Sequence, residues 1–301
     1  MEDAAERAVM FEIITDTSCN LPTPMLKKMG IEVIPFTYIM DGKVLSCTDT
    51  ETFDGKAFFD QIRAGKRVQT SQITPHQFRA HFEPVLASGK DLIFVSMSSG
   101  ISASCSSAQK TQEELQEEYP ERKIFVVDSV SASLAEGMVV LKAYECKKAG
   151  MSIEETKAVL EEYKMQVCQV FTVGNLNHLK RTGRLSAARA IVGTLLRICP
   201  VLIGDKEGKI VLAENVRGRK NAIKALADKF AKLVADKLSE PVCIAHADCR
   251  EDAEFLAECL KKIKAVRDVM IVMYEPVTGS HVGPGTLALF YEGEKNARLQ
   301  L

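Results

Sequence analysis

The 301 residues are 46% hydrophobic and 26% charged, with 39 Lys and Arg set against 40 Asp and Glu for a formal net charge of −1. That length suits about two domains, and the balanced charge excludes a basic field for nucleic acid or a polybasic tract for a membrane surface. Nine cysteines spread singly without a CxxC pair, a start without signal-peptide character, and no run of about 18 apolar residues together predict a cytoplasmic protein with free thiols.

Residues 10–15, MFEIIT, read as a first strand closing on the polar turn Asp16-Thr17-Ser18, which can cap a short helix starting near Pro22. The run 31–40, IEVIPFTYIM, reads as a second strand, placed near a sheet edge by Pro35, and Asp41-Gly42 turns a hairpin into Lys43 to Cys47. Phe53, Phe58, Phe59 and Ile62 have helical spacing. Arg67 to Pro75 then forms a cluster of hydroxyls that includes Thr70 and Ser71, closed by a proline at the start of a helix over 76–87.

The next stretch, 91–105, organises the chain. Leu92 to Val95 is a short apolar run of buried-strand type. Ser96, Ser98, Ser99, Ser102 and Ser104 follow where that strand ends and a helix over 106–119 begins. Strand ends and helix starts in an open α/β sheet favour anions; standing alone, the stretch reads rather as a turn capping its own helix. A further strand at 123–129 ends on Asp128-Ser129 before a long helix over 131–149. The alternation predicts right-handed crossovers and a largely parallel sheet, with the hydroxyl clusters collected at one end.

Beyond Gly150 the composition shifts. Ser152 and Glu155 form a capping box on a charged helix, and 168–174 starts a new sheet, so the expected domains are 9–165 and 166–301. Residues 175–202 are basic and then apolar, with Ala187, Ile191, Leu195 and Ile198 spaced as a core-packing stripe. An antiparallel hairpin turns at Asp205 to Gly208. A helix over 217–238, a strand around 242–246, a helix over 251–264 and a strand over 269–277 follow. A glycine-containing loop, 278–286, precedes a last strand. The fold class is therefore α/β in two domains, the first with a largely parallel sheet and the second mixed or antiparallel.

His281 stands out among five histidines because Ser280 precedes it and Gly283, Pro284 and Gly285 follow, which permits close approach of a ligand. His76, His81, His178 and His246 read as surface or packing residues. Neither HExxH, a P-loop, GxGxxG nor GxSxG occurs. Neutral hydroxyls with one histidine and no evident orienting carboxylate suit holding an acid better than cleaving a bond; the alternative is a Ser/His acyl-ester hydrolase with Ser98 or Ser99 as nucleophile. Arg181 and Arg184 lie at a glycine turn leading into a helix and could steady an acidic group. Arg217, Arg219 and Lys220 read as a solvated run or an acidic-partner patch.

These segments carry a family likeness. The motifs are Asp16-Thr17-Ser18 with Leu21-Pro22, Thr70-Ser71-Gln72, Ser98-Ser99-Gly100-Ile101-Ser102, Asp128-Ser129, Leu179 to Ser186, and His281 with Gly283-Pro284-Gly285. In this order they resemble the DegV family of bacterial fatty-acid-binding proteins over nearly the whole chain. The resemblance implies a non-enzymatic lipid-binding protein that buries one long-chain fatty acid between its domains. It would have no cofactor beyond that ligand, and would present the acid to a separate fatty acid kinase that makes acyl-phosphate. It also implies that Thr70, Ser98, Ser99 and His281 hold the carboxylate, supported by Arg184, Ser71 and Ser129. Departures at Ala103-Ser104-Cys105 and Ile73-Thr74 fall on the tail pocket.

Overall fold

The computed structural model describes residues 11–186, 198–236, 238, 241–263 and 266–301. Sheet A is wholly parallel in the order β2-β1-β6-β7, built from Phe11–Asp16 (β1), Glu32–Ile34 (β2), Asp91–Ser96 (β6) and Ile124–Asp128 (β7). Its inner strands are buried on both faces, which is why Ile93-Phe94-Val95 is continuously apolar. Helices Pro75–Ala87 (α3) and Ser104–Glu118 (α4) pack beside it. Phe78 and Phe82 of α3 lie 5.1 and 5.4 Å from the Phe94 ring. Thr74 and Gln77 close a capping box on α3, with Pro75 in its first turn.

The run 31–40 is not one strand. Pro35 splits it into β2, at the edge of sheet A, and Thr37–Met40 (β3). The latter joins a separate antiparallel sheet with Lys43–Ser46 (β4) and Val68–Ser71 (β5), in the order β4-β3-β5. Asp41 and Gly42 both have positive φ, 51° and 74°, as the hairpin turn requires. The hydroxyl cluster around Thr70 is therefore a strand, not a loop, and belongs to this small sheet rather than to the end of sheet A. Thr23–Met29 (α1) and Gly55–Arg63 (α2) complete this side.

Helix Leu134–Lys148 (α5) is buried nearly all round, with ten buried residues from Leu134 to Cys146. It lies between the sheets, packing on β1 and β6 from one side and on the second sheet from the other. A helix apolar on every face has no solvent side to keep. Ile153–Tyr163 (α6) follows with the expected Ser152 and Glu155 box.

Sheet C is mixed, β10-β9-β8-β13-β11-β12, and only β11 with β12 is parallel. Its strands are Val167–Thr172 (β8), Ile198–Gly204 (β9), Ile210–Arg217 (β10), Val242–His246 (β11), Val269–Met273 (β12) and Leu287–Glu292 (β13). Arg219–Leu233 (α8) and Arg250–Leu260 (α9) cover one face, while the other turns towards α5. Leu176–Arg181 (α7) precedes the Gly183 turn. The apolar stripe of Ala187, Ile191 and Leu195 lies outside the described residues. Arg219 pairs with Asp252 at 2.8 Å and donates to the Gly285 carbonyl at 2.7 Å, so it is a structural tie and not a docking charge.

The loop expected at 278–282 is instead a helix, Pro276–Val282 (α10). Glu275 caps it, accepting from the Val277 and Thr278 amides at 2.7 and 2.5 Å, and Pro276 occupies its first turn. His281 thus sits in a last helical turn. Among the described residues no helix is long and apolar enough to cross a membrane.

Candidate functional site

A cavity of about 310 Å³ lies between the halves, bounded by β5, the loop after β6, the start of α5, β8, β13, α10 and Arg184. Phe36, Met97, Phe171, Val277, Val282 and Phe290 make most of its wall apolar. Its volume is in the range of small-ligand pockets.

The polar end is a chain of hydrogen bonds across both halves. Thr70, on the inward face of β5, places Oγ1 2.8 Å from His281 Nε2 on α10, although 211 residues separate them. Thr182 Oγ1 donates to the His281 carbonyl at 3.1 Å, and Arg184 Nη1 donates to the Thr182 carbonyl at 2.6 Å. His178 Nε2 lies 2.6 Å from the Ser280 carbonyl and steadies the same turn. Burial, then the Arg184 charge and then His178 push the His281 pKa down to about 3, so the imidazole is neutral at ordinary pH. Burial also lowers the pKa of Arg184, and among the described residues no carboxylate pairs with it. A half-buried guanidinium with no counter-ion among the described residues, beside a neutral imidazole and a hydroxyl, is a setting for an acidic group.

The serines of the expected head-group set divide. Ser98 is fully buried. Its Oγ donates to the Gly208 carbonyl and accepts from the Gly100 amide, both at 3.0 Å, and it is not part of the cavity wall. Ser98 pins the serine loop to the β9–β10 hairpin. Gly208 has φ +72°, and a Cβ there would fall 2.0 Å from Ser98 Oγ, so only glycine fits. Ser99 is exposed, with its amide 3.3 Å from Asp128, and lies in an outer groove. Ser129 is buried away from the cavity, bonded to Ser131. Ser71 lines the cavity but is largely exposed.

Of the serine loop after β6, Ser102 reaches the cavity, held by mutual hydrogen bonds with Ser104 at 3.1 and 3.2 Å. Ser104 also accepts from the Ile73 amide at 3.1 Å, tying the end of β5 to the start of α4. Ser102 stood within the serine-rich motif without being singled out. Its position two residues before the helix was the available signal. Arg184, Ile101, Ser102 and Ala103 also border the outer groove, of about 420 Å³, so the polar end adjoins solvent there beside Ser106, Ser186 and Lys209.

The hydrolase geometry does not form. His281 Nε2 faces Thr70 and not Ser98 or Ser99, and among the described residues the buried Nδ1 has no hydrogen bond and no orienting carboxylate. The buried acids lie elsewhere. Glu136 bonds Thr15 at 3.2 Å and, very closely, Ser18, while Asp16 accepts from the Ser18 and Met97 amides at 2.9 and 3.1 Å. Burial raises the pKa of both, Glu136 the more strongly. They fix the ends of β1 and β6 under the serine loop.

Comparison with known proteins bears on the whole of this architecture. The family model described as "Uncharacterised protein, DegV family" matches residues 10–294. A DegV domain-containing protein of Clostridium perfringens is 36% identical over 291 residues, covering 94% of this chain and 98% of that protein. A DegV-family structure from Thermus thermophilus, described by its fatty acid binding, superposes with a TM-score of 0.84 at 27% identity, covering 94% of this chain and 99% of that one. A Ruminococcus gnavus DegV-family structure refined with vaccenic acid gives 0.83 at 27% identity, with the same coverage. With the family model spanning nearly its full length and a relative above a third identical end to end, the chain belongs to the DegV family.

Proposed function

We propose that this chain binds one long-chain fatty acid, its carboxylate at Thr70, Ser102 and His281 beside Arg184 and its tail in the apolar cavity. The observation that carries the reading is the Thr70–His281 pair at 2.8 Å, joined through Thr182 to an uncompensated arginine at one end of a 310 Å³ apolar space. The ligands of the family structures support it. Tail burial contributes about 0.8 kcal/mol per CH₂, while a carboxylate taken from water must regain its hydrogen bonds or be expelled. The boundary near 165 then separates a half supplying Thr70 and Ser102 from one supplying Arg184 and His281.

The test is denaturing extraction and mass spectrometry of protein purified from cells, with native mass spectrometry for stoichiometry. One fatty acid per chain is expected. No extractable acid, together with no binding of octadecanoate to delipidated protein, removes the reading.

We further propose that the chain presents the acid to a separate kinase, the outer groove beside Arg184 and Lys209 admitting the transferred phosphoryl group. The expected result is ATP-dependent formation of acyl-phosphate only when kinase and loaded protein are combined. Phosphorylation of free acid by the kinase alone at an equal rate refutes it.

A further inference from the structure

Arg298, in the short 3-10 turn Ala297–Gln300, is 2% exposed. Its guanidinium donates to the Asp205 carbonyl at 2.8 Å, to Ser131 Oγ at 2.9 Å, to the Val167 carbonyl at 3.4 Å and, very closely, to the Val130 carbonyl. All of these partners are neutral. Among the described residues no carboxylate pairs with this side chain, and Asp205 and Asp128 act on it only from farther off. A buried cation held by carbonyls and a hydroxyl is costly to keep, so what it holds in place matters.

Two of its partners belong to a strained turn between β7 and α5. Val130 has φ +49°, and Ser133 has φ +57° with ψ −145°. A β-branched residue rarely adopts positive φ, and Ser133 lies beside a region that glycine alone enters freely, so the surroundings must hold both. Asp128 accepts from the Val130 amide at 2.8 Å, Asn20 donates to Ser133 Oγ at 3.2 Å, and Arg298 grips the Val130 carbonyl and the Ser131 hydroxyl from the other half.

The turn in its place shapes the site. Ala132 and Ser133 belong to the cavity wall, and the Ser131 carbonyl accepts from the Ser98 amide at 2.7 Å, which sets the serine loop leading to Ser102. Through Asp205 the same guanidinium holds the β9–β10 hairpin, whose Gly208 lies so near the turn that a Cβ there would fall 2.9 Å from Val130 Cα. Arg298 itself is not part of the cavity wall.

Resting on the reading that the cavity takes a fatty acid, we propose that Arg298 is a positioning residue for that ligand, holding the strained turn at 130–133 so that Ala132, Ser133 and the serine loop keep the shape the acid fits. Without it Val130 can relax to negative φ, which turns its carbonyl away and draws the Ser131 carbonyl off the Ser98 amide.

The test is a double-mutant cycle on delipidated full chain, titrated directly with octadecanoate: native, Arg298→Met, Val130→Gly and the double variant. Arg298→Met should weaken binding about tenfold, in keeping with the release of one strained residue. Val130→Gly alone should bind within about twofold of native, because glycine takes positive φ at no steric cost. In that background Arg298→Met should cost less than about threefold, since the turn no longer needs holding. A tie that only stabilises the fold would lower the melting temperature in both backgrounds without this coupling in affinity. Arg298→Lys, which keeps the charge but not the planar fork, replaces methionine in the same cycle if methionine leaves the chain unfolded. Undiminished affinity in the Arg298 variant, an equal loss in both backgrounds, or a tenfold loss in Val130→Gly itself overturns this inference and leaves the fatty-acid reading standing. Failure of octadecanoate to bind the native protein overturns both.

Discussion

Thr70→Val removes one hydroxyl and little else. The side chain stays β-branched, so the pairing of residue 70 with Tyr38 in the β3–β5 ladder survives, as does the volume of the cavity. What is lost is the 2.8 Å contact to His281 Nε2 and the hydrogen bond Thr70 would give a carboxylate. A hydrogen bond to a charged group contributes roughly 1.5–3 kcal/mol, which corresponds to about 10- to 150-fold in Kd. The tail contribution, about 0.8 kcal/mol per CH₂, is untouched. Titration calorimetry with saturated acids of increasing length should therefore give two parallel lines of log Kd against chain length, the variant displaced upwards by a constant amount. Methyl esters, which carry no charge at the head, should be weakened much less than the acids. A variant line of different slope, or esters and acids weakened alike, would place Thr70 along the tail and refute the head-group assignment.

Arg184→Met should weaken acid binding and also let the His281 pKa rise from about 3, because the charge that helps depress it is gone while burial remains; NMR titration of the ring reads this directly. Glu275, buried, has its pKa pushed up to about 7. A carboxyl whose folded pKa exceeds its unfolded value stabilises the fold fully below the unfolded value and loses that contribution as pH rises to the folded one. Relative to Glu275→Gln, native stability should therefore decline between about pH 4.5 and 7, by up to about 3 kcal/mol, and then level off; urea unfolding at pH 5 and 8 tests it, and a difference independent of pH refutes it. Ser102→Ala should cut affinity for the acid. Ser98→Ala, losing its bond to Gly208, should cost roughly 1 kcal/mol of stability with affinity nearly unchanged, and the reverse ordering would restore Ser98 to the head-group site.

Several features were legible because short-range rules and packing agreed. The continuous apolar run Leu92 to Val95, the strand-helix alternation and the Asp41-Gly42 turn all became what their residues predict, and so did the antiparallel hairpin around Gly208. The failures have local causes. Pro35 read as a blemish in one strand, but a residue without an amide hydrogen also lets the chain leave one sheet for another. Val68 to Ser71 is short and polar, a strand only because β3 pairs with it. Glu275-Pro276 was a helix start in plain view, outweighed by the glycines after His281. The division between Ser98 and Ser102 had little sequence signal beyond the place of Ser102 two residues before the helix, since it depends on the β9–β10 hairpin closing over the Ser98 hydroxyl.

The cavity walls come from both halves, so whatever fills the space is shared between them, alongside the apolar core that runs through α5 and the contacts of α10 with α2 and β3. An occupant that binds only the assembled form adds a free energy set by its concentration relative to Kd, and that increment is lost as soon as either half opens. Calorimetry should therefore show the melting transition of emptied protein moving to higher temperature as ligand is restored. In this sense the lipid would serve as a removable piece of the interior, and its departure would announce itself across the molecule as a lower melting temperature.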